Sequence, residues 1–144
     1  MAACKSGHAG AVSLLLSRGA RVDTTYGSEL VMAVSVDVVD ALLTSVPALS
    51  AHLGRALVAA AGANRLGVVC ALLRHGADPL HENGVALCEA AYQNHRAVLE
   101  ALLKAGGPRM YGSAAVGNAL KLARRWGRDD VAETLATLQH RVDL

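Results

Sequence analysis

Apolar positions recur along this chain at intervals of three and four, in short bursts broken by glycine or proline. The clearest burst pairs Leu87, Ala90 and Ala91 with a second stripe of Val98, Leu99, Leu102 and Leu103. Each stripe lies on one face of a 3.6-residue helix. Asn94-His95 separates them as a turn signal, and Gly106 followed by Pro108 predicts a left-handed cap and a stop. An earlier stretch has the same plan, with Leu57, Ala60 and Ala61, then Val68, Val69, Leu72 and Leu73, then Gly76 and Pro79. Neither helix of such a pair can bury its stripe alone. The pattern therefore predicts helix hairpins that stack on one another.

The bursts repeat. Gly27-Ser-Glu-Leu, Gly54-Arg-Ala-Leu, Gly84-Val-Ala-Leu and Gly117-Asn-Ala-Leu open similar phrases, spaced by 27, 30 and 33 residues. Self-similarity at this period predicts an all-α solenoid of stacked helix pairs joined by loops or short hairpins. The expected units are 1–26 (incomplete), 27–53, 54–83, 84–116 and 117–144, together one repeat domain. Gly54, Gly84 and Gly117 each lie 14 residues before a valine (Val68, Val98, Val131), but Gly27 lies only 11 before Val38. The second unit has lost three residues, so its first helix should be short. Three extra residues fall in the loop 107–116. The first unit begins inside a first helix, which favours a fragment of a longer array, whereas the polar C-terminal segment reads as a cap.

The phrases Ser6-Gly-His-Ala-Gly-Ala-Val-Ser-Leu-Leu-Leu-Ser-Arg-Gly-Ala-Arg-Val-Asp23 and Ala71-Leu-Leu-Arg-His-Gly-Ala-Asp78 resemble the second helix of the ankyrin repeat and the Gly-Ala-Asp after it. The Thr-Pro-Leu-His opening of that family is replaced by Gly-x-Ala-Leu, as in divergent arrays. The resemblance implies a non-catalytic scaffold or adaptor whose concave face holds a protein partner. The positions it implies for contact are Tyr26, Arg55, Glu82, Asn83, Tyr92, Gln93, Tyr111, Asn118, Arg125 and Trp126. It also implies that His8 and His95 are structural residues of the inter-helix turns.

Composition adjusts this picture in three ways. Hydrophobic residues form 53% of the 144 positions, but aromatics only 3%, and Phe is absent. The core must then be built from Ala, Val and Leu, which frees the few Tyr and Trp side chains for a surface, where they most often dominate binding energy. Three cysteines without a Cys-x-x-Cys pair argue against a disulfide framework and favour a reducing, intracellular setting. The formal charge of +2 is unevenly placed: residues 1–103 sum to −1 and residues 104–144 to +3.

That bias makes binding of an anion or nucleic acid at Lys121, Arg124, Arg125 and Arg128 an alternative, with pairing to Asp129, Asp130 and Glu133 the plainer expectation. A spacer within a larger protein is a second alternative. Nucleic acid is not the expected partner, nor is a membrane, since no apolar run approaches the roughly 18 residues of a membrane span. The raw N-terminal edge leaves association with another copy open. No cofactor is expected. His75, His81 and Cys70 lack zinc-ligand spacing and a fourth ligand. No hydrolase elbow, phosphate loop or metalloprotease motif is present. Glu29, Glu89 and Glu100 read as surface helix residues.

Overall fold

The computed structural model describes residues 2–140, apart from positions 23, 26 and 34. The chain is all-helical, with no strand among the described residues. Five helix pairs follow one another: α1 (Ala2–Lys5) with α2 (Ala9–Ser17), α3 (Ser28–Met32) with α4 (Val36–Ser45), α5 (Leu53–Gly62) with α6 (Leu66–Arg74), α7 (His81–Tyr92) with α8 (Arg96–Gly106), and α9 (Ala114–Arg125) with α10 (Asp129–His140). The first members pack in one row, α1 on α3, α3 on α5, α5 on α7 and α7 on α9. The second members pack in another, from α2 through α4, α6 and α8 to α10. Among the described residues no helix is long and apolar enough to cross a membrane.

One core runs along the seam between the rows. Small residues of the first helices (Ala60, Ala61, Ala90, Ala91, Ala119, Ala123) and Val or Leu of the second (Val38, Leu42, Val69, Leu72, Val98, Leu102) are buried in it. Alanine brings neighbouring helices close, and the leucines fill the wider gap behind. The shortened second unit is as the spacing predicts: α3 has 5 residues where α5 has 10.

The repeated glycines serve closeness more than helix entry. Gly54 and Gly117 lie inside α5 and α9 rather than before them. A Cβ on Gly27 would collide with His52, one on Gly54 with His81, and one on Gly84 with Ala115. Each of these glycines therefore seats a residue from the entry of the next first helix. Gly27 and Gly84 also have positive φ (63° and 77°), which L side chains adopt at a cost. At Gly84 the turn is extended, because Glu82 and Asn83 are left-handed too.

The turns between paired helices share a device that the glycine pattern did not reveal. Gly7, Asn64, Asn94 and Gly127 are all left-handed. The residue after each of the last three reaches back one unit. Arg65 Nη1 donates to the carbonyl of Ala33 (3.3 Å), His95 Nδ1 to that of Ala61 (2.9 Å), and Arg128 Nε to that of Tyr92 (3.1 Å). Each clasp brings a side-chain donor to a carbonyl at the end of the preceding first helix, where helical partners run out. For His95 the acceptor fixes the tautomer, with the proton on Nδ1.

Two expectations need correction. Gly106 is not the left-handed cap of α8: it remains helical (φ −71°), and Gly107 makes the turn (φ 57°). The reason is Met110. The lengthened loop opens with a 3₁₀ turn, Gly107–Met110, which drives the fully buried Met110 side chain against Gly106, where a Cβ would collide with it. Glu29 is not a surface residue either. It is only 7% exposed, at the position that Ala56, Ala86 and Ala119 occupy in later units. A polar cleft lined by Arg21, Thr24, Thr25 and Glu29 itself, with the Ser28 hydroxyl 3.1 Å away, accommodates the carboxylate.

Candidate functional site

The first-helix row leaves one face uncovered, and its residues come from equivalent turns of α5, α7 and α9. Along α9, Ala115, Val116, Ala119, Leu120 and Ala123 are buried, which leaves Asn118, Lys121 and Arg125 exposed at spacings of three and four. On α7 the corresponding residues are Val85, Cys88 and Tyr92, and on α5 they are Arg55, Val58 and Gly62.

The helices of this row run parallel. Gly84 meets Ala115 at the entry ends of α7 and α9, while Tyr92 meets Trp126 at their exit ends. The face thus has two ends, and the expected contact residues divide between them. From Asn118 to Arg125 the helix rises about 10 Å. Arg55, Glu82, Asn83 and Asn118 belong to the entry end. Tyr92, Gln93, Arg125 and Trp126 belong to the exit end. Eight of the ten expected residues therefore fall into two groups.

At the entry end, Arg55, Val58, His81 and Glu82 line a shallow cleft of 260 Å³ between α5 and α7. Asn83 and Glu82 project from the left-handed turn and are exposed. The His81 ring rests on Gly54, with Nε2 3.7 Å from a Glu82 carboxylate oxygen. Arginine, histidine and glutamate in one shallow cleft suit the recognition of polar side chains or backbone. Tyr111 is half-buried in the turn after Gly107–Met110. Tyr26 lies outside the described residues.

At the exit end, Tyr92 and Trp126 make an edge-to-face pair, with centroids 5.3 Å apart and planes at 85°. This geometry matches the ring quadrupoles and contributes about 0.5–1.5 kcal/mol. Tyr92 is 38% exposed and Trp126 51%. Trp126 follows the last residue of α9 as its C-cap, and Tyr92 is the last residue of α7. The Arg128 clasp holds the Tyr92 carbonyl. Gln93 and Arg125 are exposed beside the rings, and a polar cleft of 220 Å³ lined by Asn94, Gly127, Arg128, Asp129 and Asp130 lies at the same end.

The basic residues do not pair as their sequence neighbourhood suggests. Among the described residues, no ion pair joins Lys121, Arg124, Arg125 or Arg128 to Asp129, Asp130 or Glu133. Acids elsewhere are engaged: Asp40 by Arg74 and His75, Asp78 by Arg109, and Glu100 by Arg96.

The clasp residues Arg65 and Arg128 are what sequence reasoning missed. Aligning the turns would have found them, since each follows Asn or Gly as His95 follows Asn94.

Two thiols are shifted. Burial, with Glu89 beside it, pushes the Cys88 thiol above its ordinary range. Burial does the same to Cys4, opposed by the N-terminal charge. Both are therefore poor nucleophiles near neutrality. No group of three or more potential metal ligands occurs among the described residues. In comparisons with known proteins, the chain matches no family model and no curated sequence.

Proposed function

We propose that this chain is an ankyrin-type array of five helix pairs and that it acts as a non-catalytic module holding a protein partner on the open face of its first helices. The observation that carries the reading is the Tyr92–Trp126 pair. Two large rings pack against each other while 38% and 51% of their surfaces stay in water. In a chain without phenylalanine, placing its lone Trp there forgoes core bulk. Tyr, Trp and Arg are the side chains that most often anchor interfaces. Here they stand on helix ends already held by inter-unit hydrogen bonds, so docking would freeze few new degrees of freedom. The entry-end cleft with Arg55, Glu82 and Asn83 would supply polar contacts at the rim.

The test is affinity capture from a lysate of the source organism, with wild type against Tyr92→Ala/Arg125→Glu/Trp126→Ala. Circular dichroism first establishes that both are folded. Proteins retained by wild type and lost by the variant are the expected result. Identical retention by both would overturn the assignment of this face.

A second reading is binding of an anionic ligand by α9. Among the described residues no ion pair joins its cations to the nearby acids, which favours it. It predicts affinity that falls steeply with salt, and the Asp129 and Asp130 carboxylates beside the same end oppose it.

A further inference from the structure

Neighbouring second helices meet along the seams α4/α6, α6/α8 and α8/α10. Stacked units repeat their geometry, so side chains at equivalent positions can be compared from one seam to the next. At the α4/α6 seam, Asp40 of α4 reaches across to α6. Its carboxylate lies 3.6 Å from Arg74 Nη2 and 2.7 Å from His75 Nε2. One unit on, Cys70 of α6 takes the place of Asp40, Lys104 of α8 that of Arg74, and Ala105 that of His75. The cation is kept and the acid is gone. At the α8/α10 seam the reverse holds. Glu100 stands in the acid's place, Thr137 and Leu138 replace the two bases, and Glu100 turns to Arg96 of its own helix at 3.0 Å.

A groove of 410 Å³ opens at the α6/α8 seam, with Cys70, Leu73 and Arg74 on one side and Ala101, Lys104 and Ala105 on the other. Its floor is apolar. Among the described residues no carboxylate lines it, and the exposed Lys104 has no ion pair. Arg74 adds a second positive charge at the rim while also facing Asp40. An exposed lysine alone points to nothing, since most lysines are exposed. Here the preceding seam shows the group that a cation at this position meets, and that group is a carboxylate.

We infer that the α6/α8 groove docks an acidic peptide segment of a protein partner. One carboxylate of the segment stands beside Lys104 as Asp40 stands beside Arg74, and an aliphatic side chain next to it lies on Leu73, Ala101 and Ala105. Two cations without an acid, set over an apolar floor, complement a segment that carries carboxylate and aliphatic groups side by side, and they repel a basic one. The groove belongs to the row of second helices. This contact is therefore independent of the open face of the first helices and of its aromatic pair.

Selection from a random dodecapeptide phage library on the immobilised full chain tests the inference. Recovered peptides should be enriched, relative to the starting library, in Asp and Glu flanked by Leu, Val or Ala. A fluorescein conjugate of such a peptide, followed by anisotropy, should bind more weakly as salt rises. Cys70→Asp should weaken binding about tenfold by giving Lys104 an acid of its own, whereas Cys70→Ser should leave it unchanged. Lys104→Glu should also weaken it about tenfold, since repulsion replaces attraction. Lys104→Met should weaken it about two- to fivefold, which keeps the test decisive if charge reversal disturbs α8. Tyr92→Ala/Trp126→Ala should change nothing, which separates this groove from the aromatic face. An empty selection, or peptides without acidic enrichment, overturns the inference. So does binding that survives both Cys70→Asp and Lys104→Met, or binding that depends on Tyr92 and Trp126.

Discussion

Two glycines of the same sequence motif should respond to alanine in opposite directions. Gly84 and Gly117 both open a Gly-x-Ala-Leu phrase. Gly84 has φ 77°, and a Cβ added there would lie 2.5 Å from the Ala115 Cβ, which is too short to side-step because a methyl on a helix cannot rotate away. The left-handed backbone costs alanine about 1–2 kcal/mol. The overlap adds about 1–3 kcal/mol, as overpacking does in a well-filled seam. Gly84→Ala should therefore destabilise by about 2–5 kcal/mol, a large part of the roughly 5–15 kcal/mol that holds a domain together. Gly117 lies within α9, and its Cβ would find only Gln139 Oε1 at 4.0 Å. Removing a helix-interior glycine there should stabilise by about 0.4–1 kcal/mol.

Urea titration monitored both by circular dichroism and by Trp126 fluorescence is the assay. The two probes separate global unfolding from opening of the α7–α9 seam, since stacked units need not unfold together. Ala115→Gly placed on the Gly84→Ala background should restore the overlap part of the loss but not the backbone part, giving a favourable coupling of about 1 kcal/mol or more. Shifts of the same sign for Gly84→Ala and Gly117→Ala, or no coupling to Ala115, would refute the reading of these glycines as seats for the next unit.

The inter-unit clasps yield a second expectation: His95→Ala should cost about 1 kcal/mol, and Arg128→Ala about 1–2 kcal/mol. Removing Arg128 should also shift Trp126 emission, because the clasp holds the backbone of its ring partner Tyr92. Met110→Ala should lower stability by about 2–5 kcal/mol, read from the urea midpoint, as for a fully buried Met. A loss under 1 kcal/mol would mean that the inserted turn anchors nothing. A thiol reagent at pH 8 should label the exposed Cys70 first and leave Cys4 and Cys88 nearly untouched, as counted by mass spectrometry. Raised thiols hold their protons longer when folded than when unfolded. Stability should therefore fall as pH rises past the ordinary thiol range and through the raised value of Cys88.

The helices were legible because their cause is local. Three-and-four spacing places Val98, Leu99, Leu102 and Leu103 on one face whatever surrounds them, and the structure buries all four. The shortness of α3 followed from counting, since a missing turn cannot be hidden in a repeat. The same counting located the insertion at 107–116 but not its effect. Whether Met110 points inward depends on a gap beside Gly106 that exists only once α8 has packed. Gly106 was misread for that reason: either of two adjacent glycines can turn left-handed, and the Met110 contact decides between them. Glu29 shows the same limit, because a carboxylate at an alanine position reads as surface until Arg21, Thr24 and Thr25 are seen to line a cleft with it.

The expected contact face fared differently at its two ends for one physical reason. Helical spacing specifies which residues share a side, and Asn118 and Arg125, seven residues apart, are both exposed on α9. It does not specify which helix ends meet. The Tyr92–Trp126 pairing depends on α7 and α9 running parallel in register, set by Ala115 on Gly84 at one end and by Arg128 on the Tyr92 carbonyl at the other. Because parallel stacking repeats along the row, any side chain at a helix exit lies beside its counterpart one unit on. In α5 that position is Gly62 followed by Ala63, in α7 it is Tyr92 followed by Gln93, and in α9 Arg125 followed by Trp126. Bulk at the helix exits thus increases from α5 through α7 to α9. The rings therefore meet where exit-end bulk is greatest, and substituting Gly62 with a large side chain should extend the aromatic row towards α5 rather than disturb the Tyr92–Trp126 pair.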